Sequence, residues 1–168
     1  HSPLWRAMAQ TRPVLTFGDG GDVSVSQAQR TEFGWQGRLN CASRAIAFDF
    51  QLNMPGEHNL RNAMAAAACA LAADISPKAI ASGLAAFAPV AGRSHAQWLQ
   101  WGSRRITLVD DTYNANPDSV RAAIDVLAQL PGPHLLVLGD MGEVGEQGPL
   151  FHAEVGRYAR ECGIEHLL

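Results

Sequence analysis

Three short stretches of this chain concentrate side chains able to hold or orient a ligand. The first is Gly56-Glu57-His58-Asn59-Leu60-Arg61-Asn62. Asn59 and Asn62 are three residues apart, so on a helix they share one face of the first turn. Two carboxamides on one face, each a donor and an acceptor, can read the edge of a planar heterocycle. The alternative is that Asn59 caps the helix and Asn62 is a solvated polar residue. The second stretch is Val109-Asp110-Asp111-Thr112-Tyr113-Asn114-Ala115-Asn116-Pro117, and the third is Leu138-Gly139-Asp140-Met141-Gly142-Glu143. Each follows an apolar run that reads as a strand, and ligands of open α/β sheets collect at the C-terminal ends of strands. A carboxylate there, such as Asp111, can hold a ribose hydroxyl pair or a metal ion, and asparagine side chains suit a peptide-like ligand. Asp111 and Asn116 can equally close turns and cap the next helix.

Other candidates carry weaker signals. Arg93 follows Gly92 at a break in the pattern. A guanidinium placed there can fork onto phosphate oxygens. The glycines of residues 139–145 miss the dinucleotide-binding spacing. His152 and Glu154 lie on a helix without a partner at metal-ligand spacing, so neither is given a catalytic role, and no residue is assigned as a metal ligand. The chain contains no G-x-x-x-x-G-K-[ST] phosphate loop. Its only lysine, Lys78, falls just inside an Ile/Ala-rich helix and cannot serve one.

The elements that must position these clusters fall into two grammars. Residues 3–12 read as a short helix with Leu4, Trp5 and Met8 on one side. Residues 14–17 form a short apolar run before the turn cluster Gly18-Asp19-Gly20-Gly21. Residues 23–54 read as an antiparallel meander, because Ile46, Phe48, Phe50 and Leu52 alternate with Ala47, Asp49, Gln51 and Asn53. A long Ala-rich helix follows over residues 58–73. Ser76-Pro77 starts another by an N-cap and a proline at the first helical position, with Ile80, Leu84 and Phe87 as its apolar stripe. Residues 89–92 break the pattern and suggest a domain boundary and a hinge. Beyond it, residues 97–101 and 106–109 read as strands around Gly102-Ser103. Asn116-Pro117 starts a helix with Val120, Ile124 and Leu127 inside. Residues 134–138 read as a strand buried on both faces, and residues 149–162 as a helix. This alternation predicts a parallel α/β fold.

Composition bounds the function. The 168 residues are 47% hydrophobic and 17% charged, with net charge -3. No basic face suits a nucleic acid, and no apolar run reaches the roughly 20 residues of a membrane span. Cys41, Cys69 and Cys162 are distant and odd in number, which predicts small buried or half-buried thiols in a reducing, cytoplasmic setting. The chain opens at His1 and stops on His166-Leu167-Leu168, which reads as the start of a strand, so both ends are expected to be cut.

The three stretches, in order, resemble the Mur ligase family. The H-N-x-x-N pattern is general to that family. The D-D-[ST]-Y-N-A-N-P segment with a following G-D-M-x-E loop is more specific. It resembles the branch that joins D-alanyl-D-alanine to UDP-MurNAc-tripeptide in peptidoglycan precursor synthesis. The resemblance implies an ATP-dependent peptide ligase working through an acyl phosphate, with Mg²⁺ held mainly outside this chain. It implies that residues 1–91 are the closing part of an ATP-binding central domain, and residues 92–168 the opening part of a Rossmann-like C-terminal domain. Asn62, with His58 and Asn59, would contact adenine, Asp111 would hold the ribose, and Arg93 would approach the phosphates. Thr112, Tyr113, Asn114 and Asn116 would face the acceptor end of the substrate. Without a phosphate loop the chain alone is expected to be inactive. A sister ligase, a folylpolyglutamate-type ligase and a non-catalytic nucleotide-binding module are the competing expectations.

Overall fold

The computed structural model describes residues 3–168. His1 and Ser2, together with the side chains of Pro3, Trp5 and Arg6, lie outside the described residues, and with them the expected placement of Trp5. The chain divides into two compact units. One comprises His1–Asn53 with Glu57–Ala88, the other Met54–Gly56 with Pro89–Leu168.

The first unit opens with helix α1 (Pro3–Ala9). It ends three residues earlier than expected, because Gln10 adopts a left-handed φ of 53°. Leu4 and Met8, expected on one apolar side, are exposed. The 14–17 run contributes only a bridge from Phe17 to Val23. Strands β1 (Val23–Thr31), β2 (Gly34–Cys41) and β3 (Ile46–Leu52) form the expected antiparallel meander in that order. Cross-strand register sets Val25, Leu39 and Phe48 side by side, and likewise Val23, Cys41 and Ile46. A two-residue periodicity therefore puts one apolar face of the sheet inward.

Helix α2 (Glu57–Ala72) buries Asn59, Ala63, Met64, Ala67, Ala68 and Leu71, a stripe at helical spacing. Small alanines let it approach β1 and the next helix. Cys69 falls on the opposite side of the stripe and is exposed, against expectation, whereas Cys41 is buried and Cys162 partly buried. The Arg44 guanidinium donates to the Leu71 carbonyl and to Asp74, satisfying the end of α2.

Helix α3 (Pro77–Ala86) packs on β3. Its start is as the sequence dictates: the Ala79 amide donates to Ser76 Oγ at 3.3 Å, with Pro77 at the first position. Ser76→Ala is expected to cost about 1 kcal/mol, and Ser76→Gly only a few tenths. Urea unfolding of the two variants checks this, and an alanine variant as stable as the glycine one would contradict it. The expected stripe holds at Ile80, which is buried, but not at Phe87, which is 48% exposed. The reason is local: the helix stops at Ala86 and Phe87 is already extended, at φ -65° and ψ 123°.

The second unit begins with a hairpin, β4 (His95–Trp101) and β5 (Arg104–Asp110), paired antiparallel from His95↔Asp110 to Trp101↔Arg104. It forms a sheet of its own. Helix α4 (Pro117–Ala128) follows, then β6 (Leu135–Leu136), α5 (Gly148–Glu161) and β7 (His166–Leu167), with β6 and β7 parallel. Val120, Ile124, Met141, Val155, Ala159 and Ile164 make the core between α4, α5 and the loop after β6. Residues 134–138 were expected to be buried on both faces. Instead Leu136 and Leu138 pack on the core while Leu135 and Val137 are exposed. The helices cover one face of this strand, and nothing among the described residues covers the other. His134 is held at the strand start by Glu165, which accepts from its backbone amide at 2.8 Å. That bond holds the Glu165 carboxyl below its ordinary value.

Candidate functional site

The nine candidate residues fall into two sets. His58, Asn59 and Asn62 sit on the first turns of α2 in the first unit. The helix begins at Glu57, so Asn59 is inside the first turn rather than at the N-cap. Asn59 is buried and its Oδ1 accepts from Asn62 Nδ2 at 3.4 Å. Asn62 is exposed. The expected shared face is therefore present, with one carboxamide anchored inside and one presented to solvent.

Arg93 and residues 111–116 lie together in the second unit, where β5 ends. The organising groups are two adjacent carboxylates. Asp110 Oδ2 accepts from the Gly92 amide at 3.1 Å, and its Oδ1 accepts from Thr112 Oγ1 at 2.7 Å and the Thr112 amide at 3.3 Å. Asp111 Oδ1 accepts from the Ser94 amide at 2.8 Å and Ser94 Oγ at 3.3 Å. The Tyr113 amide closes the ring by donating to the Gly92 carbonyl at 3.0 Å. Gly92 is required here. Its φ is +76°, and a Cβ would sit 2.9 Å from the Tyr113 nitrogen. Arg93, between the two anchored neighbours, lays its guanidinium over the Tyr113 ring, 3.8 Å from the centroid. A guanidinium held over a ring face by its carbon still has N–H groups to offer an oxyanion.

The remaining members have local duties. Asn114 Oδ1 accepts from the Ala115 amide at 2.8 Å. Asn116 is the N-cap of α4, in a reciprocal capping box with Ser119. Capping thus occupies the Asn116 oxygen, as the bland alternative held. Asp111 also has a structural duty through Ser94.

Sequence reasoning passed over two residues. Asp110 was quoted within its segment but given no role, although it ties Gly92 to Thr112. Two adjacent acids at a strand end are the signal that pointed there. The Thr112 hydroxyl bond, foremost, holds the Asp110 carboxyl below its ordinary value of about 3.8. A depressed folded-state value means its stabilising contribution is complete above about pH 3.8 and is lost as pH falls through the lower folded value. Thr112→Val is expected to move the Asp110 midpoint upward, read by the carboxyl carbon shift in an NMR pH titration. An unchanged midpoint would contradict the assignment. The second residue is His152 on α5. Its Nδ1 donates to the Gly148 carbonyl at 2.7 Å, and its Nε2 accepts from the Met141 amide at 3.0 Å. It fixes the loop carrying Asp140 and Glu143, a role no sequence spacing announces.

Comparison with known proteins gives two successive domain matches. Residues 2–70 match the Mur ligase middle domain, and residues 96–167 match the domain described as Mur ligase, glutamate ligase domain. UDP-N-acetylmuramoyl-tripeptide–D-alanyl-D-alanine ligase of Escherichia coli K12 is 35% identical over 167 residues, covering 98% of this chain and 36% of that protein. The Haemophilus influenzae enzyme of the same name is 34% identical over 165 residues, covering 98% and 35%. A crystal structure of MurF from Acinetobacter baumannii superposes with a TM-score of 0.87 at 34% identity, over 98% of this chain and 35% of that one. The chain thus spans about a third of the length of the curated relatives it matches. Two consecutive domain matches and a fold shared across nearly the whole chain place it in the Mur ligase family, carrying the end of a middle domain and a C-terminal ligase domain segment.

Proposed function

We propose that this chain supplies part of the active site of an ATP-dependent ligase that joins D-alanyl-D-alanine to UDP-MurNAc-tripeptide in the cytoplasm. The observation that carries the reading is the arginine laid on Tyr113 beside Asp111 at the end of β5. It is supported by the named activity of the relatives that align along the chain.

In this reading residues 1–91 belong to the ATP-binding central domain and residues 92–168 to the amine-binding domain. Asn62, backed by Asn59 and with His58 beside it, contacts the adenine edge. Asp111, whose Oδ1 is held by Ser94, offers its other oxygen to the ribose hydroxyls. Arg93 approaches the phosphates. Thr112, Tyr113, Asn114 and Asn116 line the acceptor end. The chemistry is phosphoryl transfer from ATP to the tripeptide carboxylate, then attack by the D-alanyl-D-alanine amine on the acyl phosphate. An amide forms as phosphate leaves and the amine loses a proton. Arginine's part is to neutralise charge on the phosphoryl oxygens as it builds. Among the described residues there is no group of three or more His, Cys, Asp or Glu that could hold a metal ion. In this reading Mg²⁺ would be held mainly by residues outside this chain and would supply charge neutralisation at the phosphates.

The test is a chimera in which this chain replaces the aligned segment of the E. coli enzyme. ATP-dependent formation of UDP-MurNAc-pentapeptide is the expected result. The 168-residue chain alone is expected to release no phosphate from ATP. A folded chimera that binds UDP-MurNAc-tripeptide yet makes no pentapeptide would overturn the reading, and so would one that uses a different amine.

A further inference from the structure

We propose that Tyr113 and Asp110 are positioning residues for Arg93: the Tyr113 ring fixes the plane of the guanidinium, and the Asp110 carboxylate fixes the backbone that carries it. The purpose of this device rests on the reading of Arg93 as the phosphate-approaching group. Its existence rests on geometry alone.

Arg93 is bracketed. Gly92 before it is bonded through its amide to Asp110 and through its carbonyl to the Tyr113 amide, at 3.1 and 3.0 Å. Ser94 after it is bonded by its amide and hydroxyl to Asp111. The arginine backbone therefore has little freedom. Its side chain is among the richest in rotamers, and a free one would have to be immobilised whenever an anion bound. Stacking at 3.8 Å on Tyr113 orders it beforehand. Asp110 suits its task because it takes three donors on two oxygens: the Gly92 amide, the Thr112 amide and the Thr112 hydroxyl. Asparagine offers one oxygen, so its NH₂ would face a donor. The ring of Tyr113, rather than its hydroxyl, is the working part. The ring contact leaves the hydroxyl to the acceptor end assigned to Tyr113 above.

The experiment is NMR on the ligand-free 168-residue chain, reading the Arg93 Hδ shift and the heteronuclear NOE at Nε. In the wild type Hδ is expected upfield of its random-coil position and Nε ordered. Tyr113→Phe is expected to keep both, and Tyr113→Ala to lose both with the other amide signals in place. Asp110→Asn is expected to lower the NOE at Nε. In affinity for an oxyanion, loss of one exposed cation–π contact corresponds to about a two- to five-fold weakening. A random-coil Arg93 in the wild type, or an unaltered one in Tyr113→Ala, overturns the proposal. Loss of both signals in Tyr113→Phe overturns it too. Addition of ATP or adenosine tests the underlying reading separately. A response at Arg93 Nε to ATP alone supports the phosphate role. The same response to both sinks that role and leaves the stacked arginine standing.

Discussion

Arg93→Ala in the chimeric ligase is expected to lower kcat by roughly 10²- to 10³-fold, the cost of removing one pre-aimed donor from a charge-developing transition state. Arginines that meet a transferring phosphoryl group reach larger factors still. The loss should fall on kcat more than on KM, because charge on the phosphoryl oxygens grows between bound substrate and transition state. Arg93→Lys should recover only part of the rate: an ammonium supplies charge but neither the planar fork nor the guanidinium's contact with the Tyr113 ring. Stability offers a control. Arg93 is exposed and its one ring contact is worth about 0.5–1 kcal/mol, so the variant should unfold at nearly the wild-type denaturant concentration. Single-turnover and steady-state rates of pentapeptide formation decide the matter. A variant within three-fold of the wild type would remove Arg93 from the machinery.

The largest expected effect on folding is at Ile124. Its side chain is fully enclosed in the second unit, against Val155, Ala159 and Met141. Ile124→Ala removes three carbons and leaves a cavity, at a cost of about 2–5 kcal/mol, whereas Ile124→Val should cost only about 0.5–1.5 kcal/mol. The core here is six buried side chains from two helices, a loop and the lead-in to β7, so few neighbours can collapse into the hole. Amide exchange along α4 and α5 should accelerate in the alanine variant. A loss under 1 kcal/mol by urea titration would mean that this core relaxes freely.

What the residues announced, and what they did not, follows from the range of the forces involved. The meander was legible because a two-residue alternation such as Ile46-Phe48-Phe50-Leu52 has one solution against a core. The starts of α3 and α4 were legible because Ser76-Pro77 and Asn116-Pro117 combine a capping side chain with a fixed φ. Phe87 was misread because periodicity alone does not locate a helix end. The strand over residues 134–138 was misread because an apolar run does not say how many layers will cover it. At the site, the residue types at the end of β5 were evident, but their wiring was not. The Arg93–Tyr113 stack joins residues twenty positions apart through one pairing register, and His152 reaches Met141 across a loop. Neither leaves a periodic trace.

The latch between Gly92–Ser94 and Asp110–Tyr113 also bears on the order in which the chain folds. Its hydrogen bonds join residues 17, 18 and 21 positions apart and continue the β4–β5 ladder. The tie between Arg121 and Glu154 spans 33 positions, and that between His134 and Glu165 spans 31. Closing the shorter loop costs less chain entropy, and local contacts form sooner. The arginine arm should therefore assemble with its hairpin, ahead of the helical layer. In a pulsed-exchange refolding experiment, the Gly92 and Ser94 amides should gain protection before the His134 amide. The part of the unit closest to the proposed chemistry is then the part whose formation asks least of the rest of the chain.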